Sequence, residues 1–180
     1  STFIAGFLRD GISVWMPTLI NDVYNVGNFS AILTGAVIPV CCALFLNVFQ
    51  KIGDKIGNEL KSAALFYSAA LVFGAIFLLF FSAFPMLDVI LMSAITVCVH
   101  GVNLMLVCTV PKRFSKYGRS STMSGIFNAS VYGGSSVSTY FIARLSMSFG
   151  WRNVCAFWCV LILVASALCF SKYKKYGKII

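Results

Sequence analysis

Residues 62–83 contain no charged side chain. At a rise of about 1.5 Å per residue, a helical run of this length crosses a hydrocarbon layer of roughly 30 Å, which needs about 20 apolar residues. Five further stretches meet the same length requirement, so spans are predicted near 2–23, 29–49, 63–84, 86–110, 121–146 and 151–171. Phe84-Pro85 divides the third from the fourth, because proline and the residue before it both resist helix continuation. Composition agrees: 59% of residues are hydrophobic and 11% charged, against about 25% charged in soluble domains. The expected fold is all-α and integral to a membrane. Its six transmembrane helices divide as three plus three, as in the inverted repeats of secondary transporters.

The charge balance is lopsided, with 14 Lys and Arg against 5 Asp and Glu. In a soluble chain this would point to nucleic acid. Here the charges sort by loop. Lys51, Lys55 and Lys61 fall between spans two and three, Lys112, Arg113, Lys116 and Arg119 between four and five, and Lys172, Lys174, Lys175 and Lys178 after six. Only Arg144 and Arg152 flank the last turn on the other side. The positive-inside rule then places residue 1 and the C-terminus in the cytoplasm, and no nucleic-acid partner is required. The KYKKYGK tail reads as a cytoplasmic stop signal.

Seven cysteines lie in or beside apolar runs, without CxxC or Cys/His spacing. Even Cys155 and Cys159, which share a helix face, read as small apolar packing groups, and no metal or cofactor is implied. HExxH, GxSxG, P-loop and paired-carboxylate motifs are absent, so an enzyme is not expected. The chain starts at Ser1 and is apolar by Phe3, as a piece of a longer protein would be.

The informative residues in a membrane helix are the costly ones. Arg9 lies well inside the first span, where insertion costs about 2.5–3.5 kcal/mol. Its planar fork of donors suits phosphate or carboxylate, although snorkelling or a structural pair with a carboxylate would also accommodate it. Asp10 is expected to face another helix or a watery cavity, since adjacent side chains diverge by about 100°. Ser124, Asn128, Tyr132, Ser135 and Thr139 form a polar stripe on span five, with Asn128 and Tyr132 the candidates for substrate contact. Gly125, Gly133 and Gly134 offer close helix approach on the same span. His100, with Gly101 and Asn103 on span four, is either hydrogen-bonded to a neighbouring helix or a proton or phosphate partner. Asp88 is expected to be a helix-start charge that favours the dipole.

Arg9-Asp10-Gly11-Ile12-Ser13-Val14-Trp15-Met16-Pro17-Thr18 carries the pattern R-x-G-x-x-x-W-x-P-T. It resembles the seventh helix of the organophosphate:phosphate antiporter family of the major facilitator superfamily. Gly53-Asp54-Lys55-Ile56-Gly57 resembles the superfamily's cytoplasmic loop signature D-[RK]-x-G, with Gln50 where the leading glycine would stand. Tyr132-Gly133-Gly134-Ser135 is similar to the family's eleventh helix, and Phe149-Gly150-Trp151 to the turn before the twelfth. The resemblance implies the C-terminal six-helix half of a twelve-helix transporter in a bacterial plasma membrane, joined to an N-terminal half. That half would carry a second anion-binding arginine. It further implies that Arg9 binds phosphate, that Tyr132, His100 and Trp15 line the substrate site, to which the polar stripe adds Asn128, and that Asp54, Lys55 and Gly57 form the loop signature. His100 replaces a tyrosine of the family. The expected activity is exchange of a phosphorylated metabolite for inorganic phosphate. The alternatives are a transporter-like sugar-phosphate sensor and a carrier of a carboxylated substrate such as a sugar acid.

Overall fold

The computed structural model describes residues 1–25 and 27–179, and the side chains of 28–31, 175 and 177–179 lie outside that description. The tail lysines Lys175 and Lys178 are among those side chains. All regular structure in the described residues is helical: α1 (Thr2–Tyr24), α2 (Asn28–Ile56), α3 (Glu59–Leu79), α4 (Pro85–Asn103), α5 (Val110–Arg113), α6 (Ser120–Phe149) and α7 (Trp151–Ile179). A π-helical segment, Leu104–Thr109, joins α4 to α5, and a 3-10 turn, Phe114–Tyr117, follows α5.

Among the described residues, five helical rods are long and apolar enough to cross a membrane: Thr2–Tyr24, Ile32–Ile56, Glu59–Leu79, Pro85–Tyr117 and Trp151–Lys174. Helix α6 is longer than most of them at 30 residues, but its serines, threonines and glycines dilute its apolar character. Helix α3 also departs from the predicted span 63–84. It ends at Leu79, because the backbone N–H of Ser82 turns to the Asp88 carboxylate at 3.3 Å and Ser82 takes a positive φ of 62°. Pro85 then opens α4 at its first position, where a missing N–H costs nothing.

The π segment has a local cause. Pro111 cannot donate to a carbonyl one turn back, and its ring crowds that carbonyl. The chain widens before it: Val110 N–H bonds to Met105 O, five residues back, and the Thr109 hydroxyl donates to Leu104 O at 3.2 Å.

Helix α1 packs most extensively on α6 and also meets α4, while α3 sits between α4 and α7. Smaller interfaces join α2 to α4 and α1, and α7 to α1 and α6. Tyr67, Phe77, Leu8, Met16 and Met92 lie fully buried at the centre. Helix α2 is peripheral and shows Leu33, Val40, Leu44, Phe45 and Val48 on its exposed side, an apolar face suited to lipid.

Both ends of the bundle are tied by polar contacts. At the basic end, Gly57 closes α2 with φ 68° and Asn58 caps α3 by accepting from Lys61 N–H at 3.0 Å. Arg113 Nε donates to Glu59 Oε1 at 2.8 Å, and the Tyr176 hydroxyl to Glu59 Oε2 at 3.3 Å. Burial, and the Glu59 carboxylate beside it, push the Tyr176 phenol up, so it keeps the proton it donates. At the opposite end, Trp151 Nε1 donates to Asp22 at 2.9 Å and the Tyr24 hydroxyl to Asp88 at 2.8 Å. Asp88 is therefore more than a helix-start charge: it is fully buried and joins the end of α1 to the start of α4.

Candidate functional site

The site begins with two glycines that let helices touch backbone to backbone. Gly6 of α1 lies on the Val131 backbone of α6, and Gly134 of α6 lies on the backbone of Phe3 and Phe7. Val131, Gly134, Ser138 and Ile142 are the buried stripe of α6. Their spacing of three and four residues directs this stripe at α1. The polar stripe expected on α6 lies beside it and opens outward: Asn128, Tyr132 and Thr139 are exposed, and Tyr132 retains 62% of its surface. Of the three glycines expected to favour close approach, Gly134 does so, a Cβ added at Gly133 would lie 3.8 Å from the Phe3 ring, and one added at Gly125 would meet nothing within 4 Å.

On the facing side of α1, Arg9 and Asp10 form a two-point ion pair. Arg9 Nε donates to Asp10 Oδ1 at 2.5 Å and Nη2 to Oδ2 at 2.8 Å. This overturns the expectation that adjacent positions keep Asp10 from pairing with Arg9. The 100° divergence describes the Cα–Cβ directions, and the long arginine arm wraps around the helix to reach its neighbour. The pair is half-buried, with 17% of the Arg9 side chain and 26% of Asp10 exposed. Ser13 lies one turn on and donates to the Arg9 carbonyl at 2.7 Å.

Three helices converge here. Tyr132 of α6 is within electrostatic range of Arg9, and the Ser135 hydroxyl is in hydrogen-bonding reach of Asp10. His100 of α4, half-buried, is within electrostatic range of both members of the pair. It stands just before the π segment, an irregularity that often marks functional sites. Asn103 follows in the same stretch, and its side-chain oxygen is buried without a partner.

Asn128 lies one turn from Tyr132 on the exposed face and donates to Ser124 at 3.5 Å. Trp15 is elsewhere. Its ring packs on Trp151 of α7, with centroids 6.2 Å apart, and its buried Nε1 has no partner. The loop-signature residues are at the basic end, far along the chain from the pair. Asp54 accepts from Gln50 at 2.9 Å within α2, Lys55 is exposed, and Gly57 supplies the left-handed cap. The contact that fastens this loop was not foreseen: Arg113 reaches the Gly57 carbonyl at 3.5 Å as well as Glu59. The signal available was Glu59, an acid just after the signature and beside basic residues.

No protein-family profile matches the chain, and no curated protein matches it in sequence.

Chemically, the pair directs two of the five guanidinium donors at Asp10 and leaves the Nη1 edge for another acceptor. The neighbouring groups are a phenol, hydroxyls and an imidazole. Such a face is not soluble in lipid tails, and ionisable side chains at membrane depth characteristically face a bundle interior or a watery cavity.

Proposed function

We propose that the chain is the C-terminal half of a major facilitator transporter, exchanging a phosphorylated small metabolite for inorganic phosphate by alternating access. The observation that carries this reading is Arg9, a partly buried guanidinium in a helix long and apolar enough to span a membrane, with Tyr132 and His100 within electrostatic range and Ser135 beside its partner Asp10. Arginine matches phosphate geometry through paired donors. A face that lipid cannot solvate would be covered by a second six-helix half, with the substrate between.

The packing supports a three-plus-three arrangement. Exchanging α1 with α4, α2 with α6 and α3 with α7 turns the α1–α6 interface into α4–α2, and α3–α4 into α7–α1, each of which exists. The same exchange keeps the α1–α4 and α3–α7 interfaces. The basic loops and tail orient both ends to the cytoplasm of a bacterial plasma membrane. Substrate would be held near the midplane while the halves rock about it.

The test reconstitutes the full-length protein in vesicles loaded with phosphate and measures exchange. Arg9→Lys retains the charge and loses the fork, and Arg9→Ala loses both. Each is expected to reduce exchange severely, and intact exchange in Arg9→Ala would reject the site.

A further inference from the structure

The guanidinium that would hold the transported anion is already occupied by a carboxylate from the next residue. We propose that Asp10 is a tethered substitute for the transported anion, which holds Arg9 when the site is empty and yields it when substrate arrives. The inference rests on the reading of Arg9 as the anion site and adds what regulates it.

The geometry supplies each part. Two parallel N–H···O bonds, Nε to Oδ1 and Nη2 to Oδ2, reproduce the contact that a phosphate or carboxylate ligand would make with the same edge. The pair is partly exposed, so an incoming anion can reach it. The Ser135 hydroxyl and His100 stand near enough to the Asp10 carboxylate to interact with it, and they would receive it when it leaves Arg9.

The consequence concerns the return of the empty carrier. An unpaired guanidinium enclosed between two helical bundles is an uncompensated charge, and such charges are strongly unfavourable in low dielectric. A carrier in which Arg9 and the second arginine of the other half both stood bare when empty would reorient readily only when loaded, and would be a strict exchanger. Asp10 compensates Arg9 in the empty state and leaves one uncompensated arginine instead of two. The empty carrier then returns more readily, and net release of substrate down a gradient accompanies exchange. Asp10 also competes with substrate, so it weakens binding.

The test compares wild type, Asp10→Asn and Asp10→Glu in the full-length protein. Binding of inorganic phosphate is measured calorimetrically in detergent. Labelled phosphate efflux from vesicles is measured into phosphate-free and phosphate-containing media. For Asp10→Asn the expected result is phosphate binding at least about tenfold tighter, equivalent to about 1.4 kcal/mol, together with a several-fold fall in the ratio of net efflux to exchange. Asp10→Glu, which keeps the charge, should hold that ratio near wild type. A fully active wild type with unchanged affinity and ratio in Asp10→Asn would overturn the proposal while leaving Arg9 as the anion site. A wild type that neither binds nor exchanges phosphate would overturn both.

Discussion

The backbone contact of α1 with α6 gives a prediction that is independent of transport. A Cβ added at Gly6 would lie 2.7 Å from the Val131 carbonyl carbon and 2.8 Å from its Cα, where ordinary contact is 3.4–4 Å. At Gly134 the added atom would lie 3.0 Å from Phe3 C and Phe7 N and closer still to the Phe3 carbonyl oxygen. In each case the obstacle is backbone, which cannot rotate away. Gly6→Ala or Gly134→Ala must therefore push α1 and α6 apart by roughly 1 Å, and overpacking of that kind costs about 1–3 kcal/mol. The two strains act on one separation, so the double variant should cost less than the sum of the singles by about 0.5–3 kcal/mol. Gly125→Ala is the control: nothing stands within 4 Å, and the gain in helix propensity should stabilise by up to about 1 kcal/mol. Unfolding of the purified full-length protein in mixed micelles, followed by tryptophan fluorescence, measures all four. Neutral single variants, or strictly additive ones, would refute the backbone contact.

Other consequences are simpler. Asp88→Ala leaves the Tyr24 hydroxyl and the Ser82 N–H without their acceptor and should lower unfolding stability by about 1–3 kcal/mol, whereas Tyr24→Phe should cost less; equal, negligible losses would show that the tie is idle. Arg113→Ala strands a Glu59 side chain that is only 5% exposed, so it should destabilise by about 1–3 kcal/mol, and Glu59→Gln should partly rescue it in the double variant. Trp151→Phe removes the donor to Asp22 while keeping a ring against Trp15; a loss of about 1 kcal/mol in the same unfolding assay is expected.

The helices were legible because apolar runs of bilayer length admit few other structures, and Pro85 marks the start of α4 with its own ring. The end of α3 was not, because it depends on where the Asp88 carboxylate lies in space. The π segment was not legible: Pro111, directly after the predicted span 86–110, signals where a helix is disturbed, but not which carbonyls the chain would use instead. Arg9, His100 and Tyr132 could be singled out by the cost of polar groups in lipid, and the close contact of α1 with α6 brings them within range of one another. Trp15 was named by the motif it shares with Arg9, and six residues around the helix turn its ring toward Trp151 of α7. The Arg9–Asp10 pair was missed, since helical angles describe where side chains leave the backbone and not where a long one ends.

That pair has a consequence for how the protein is made. Partners from α4 and α6 are synthesised long after α1, so during insertion Arg9 would have to enter lipid before Tyr132, Ser135 or His100 existed. Asp10 is the next residue to leave the ribosome. Helix α1 thus brings its own counter-charge to the translocon, and its entry into the bilayer need not wait for α4 and α6.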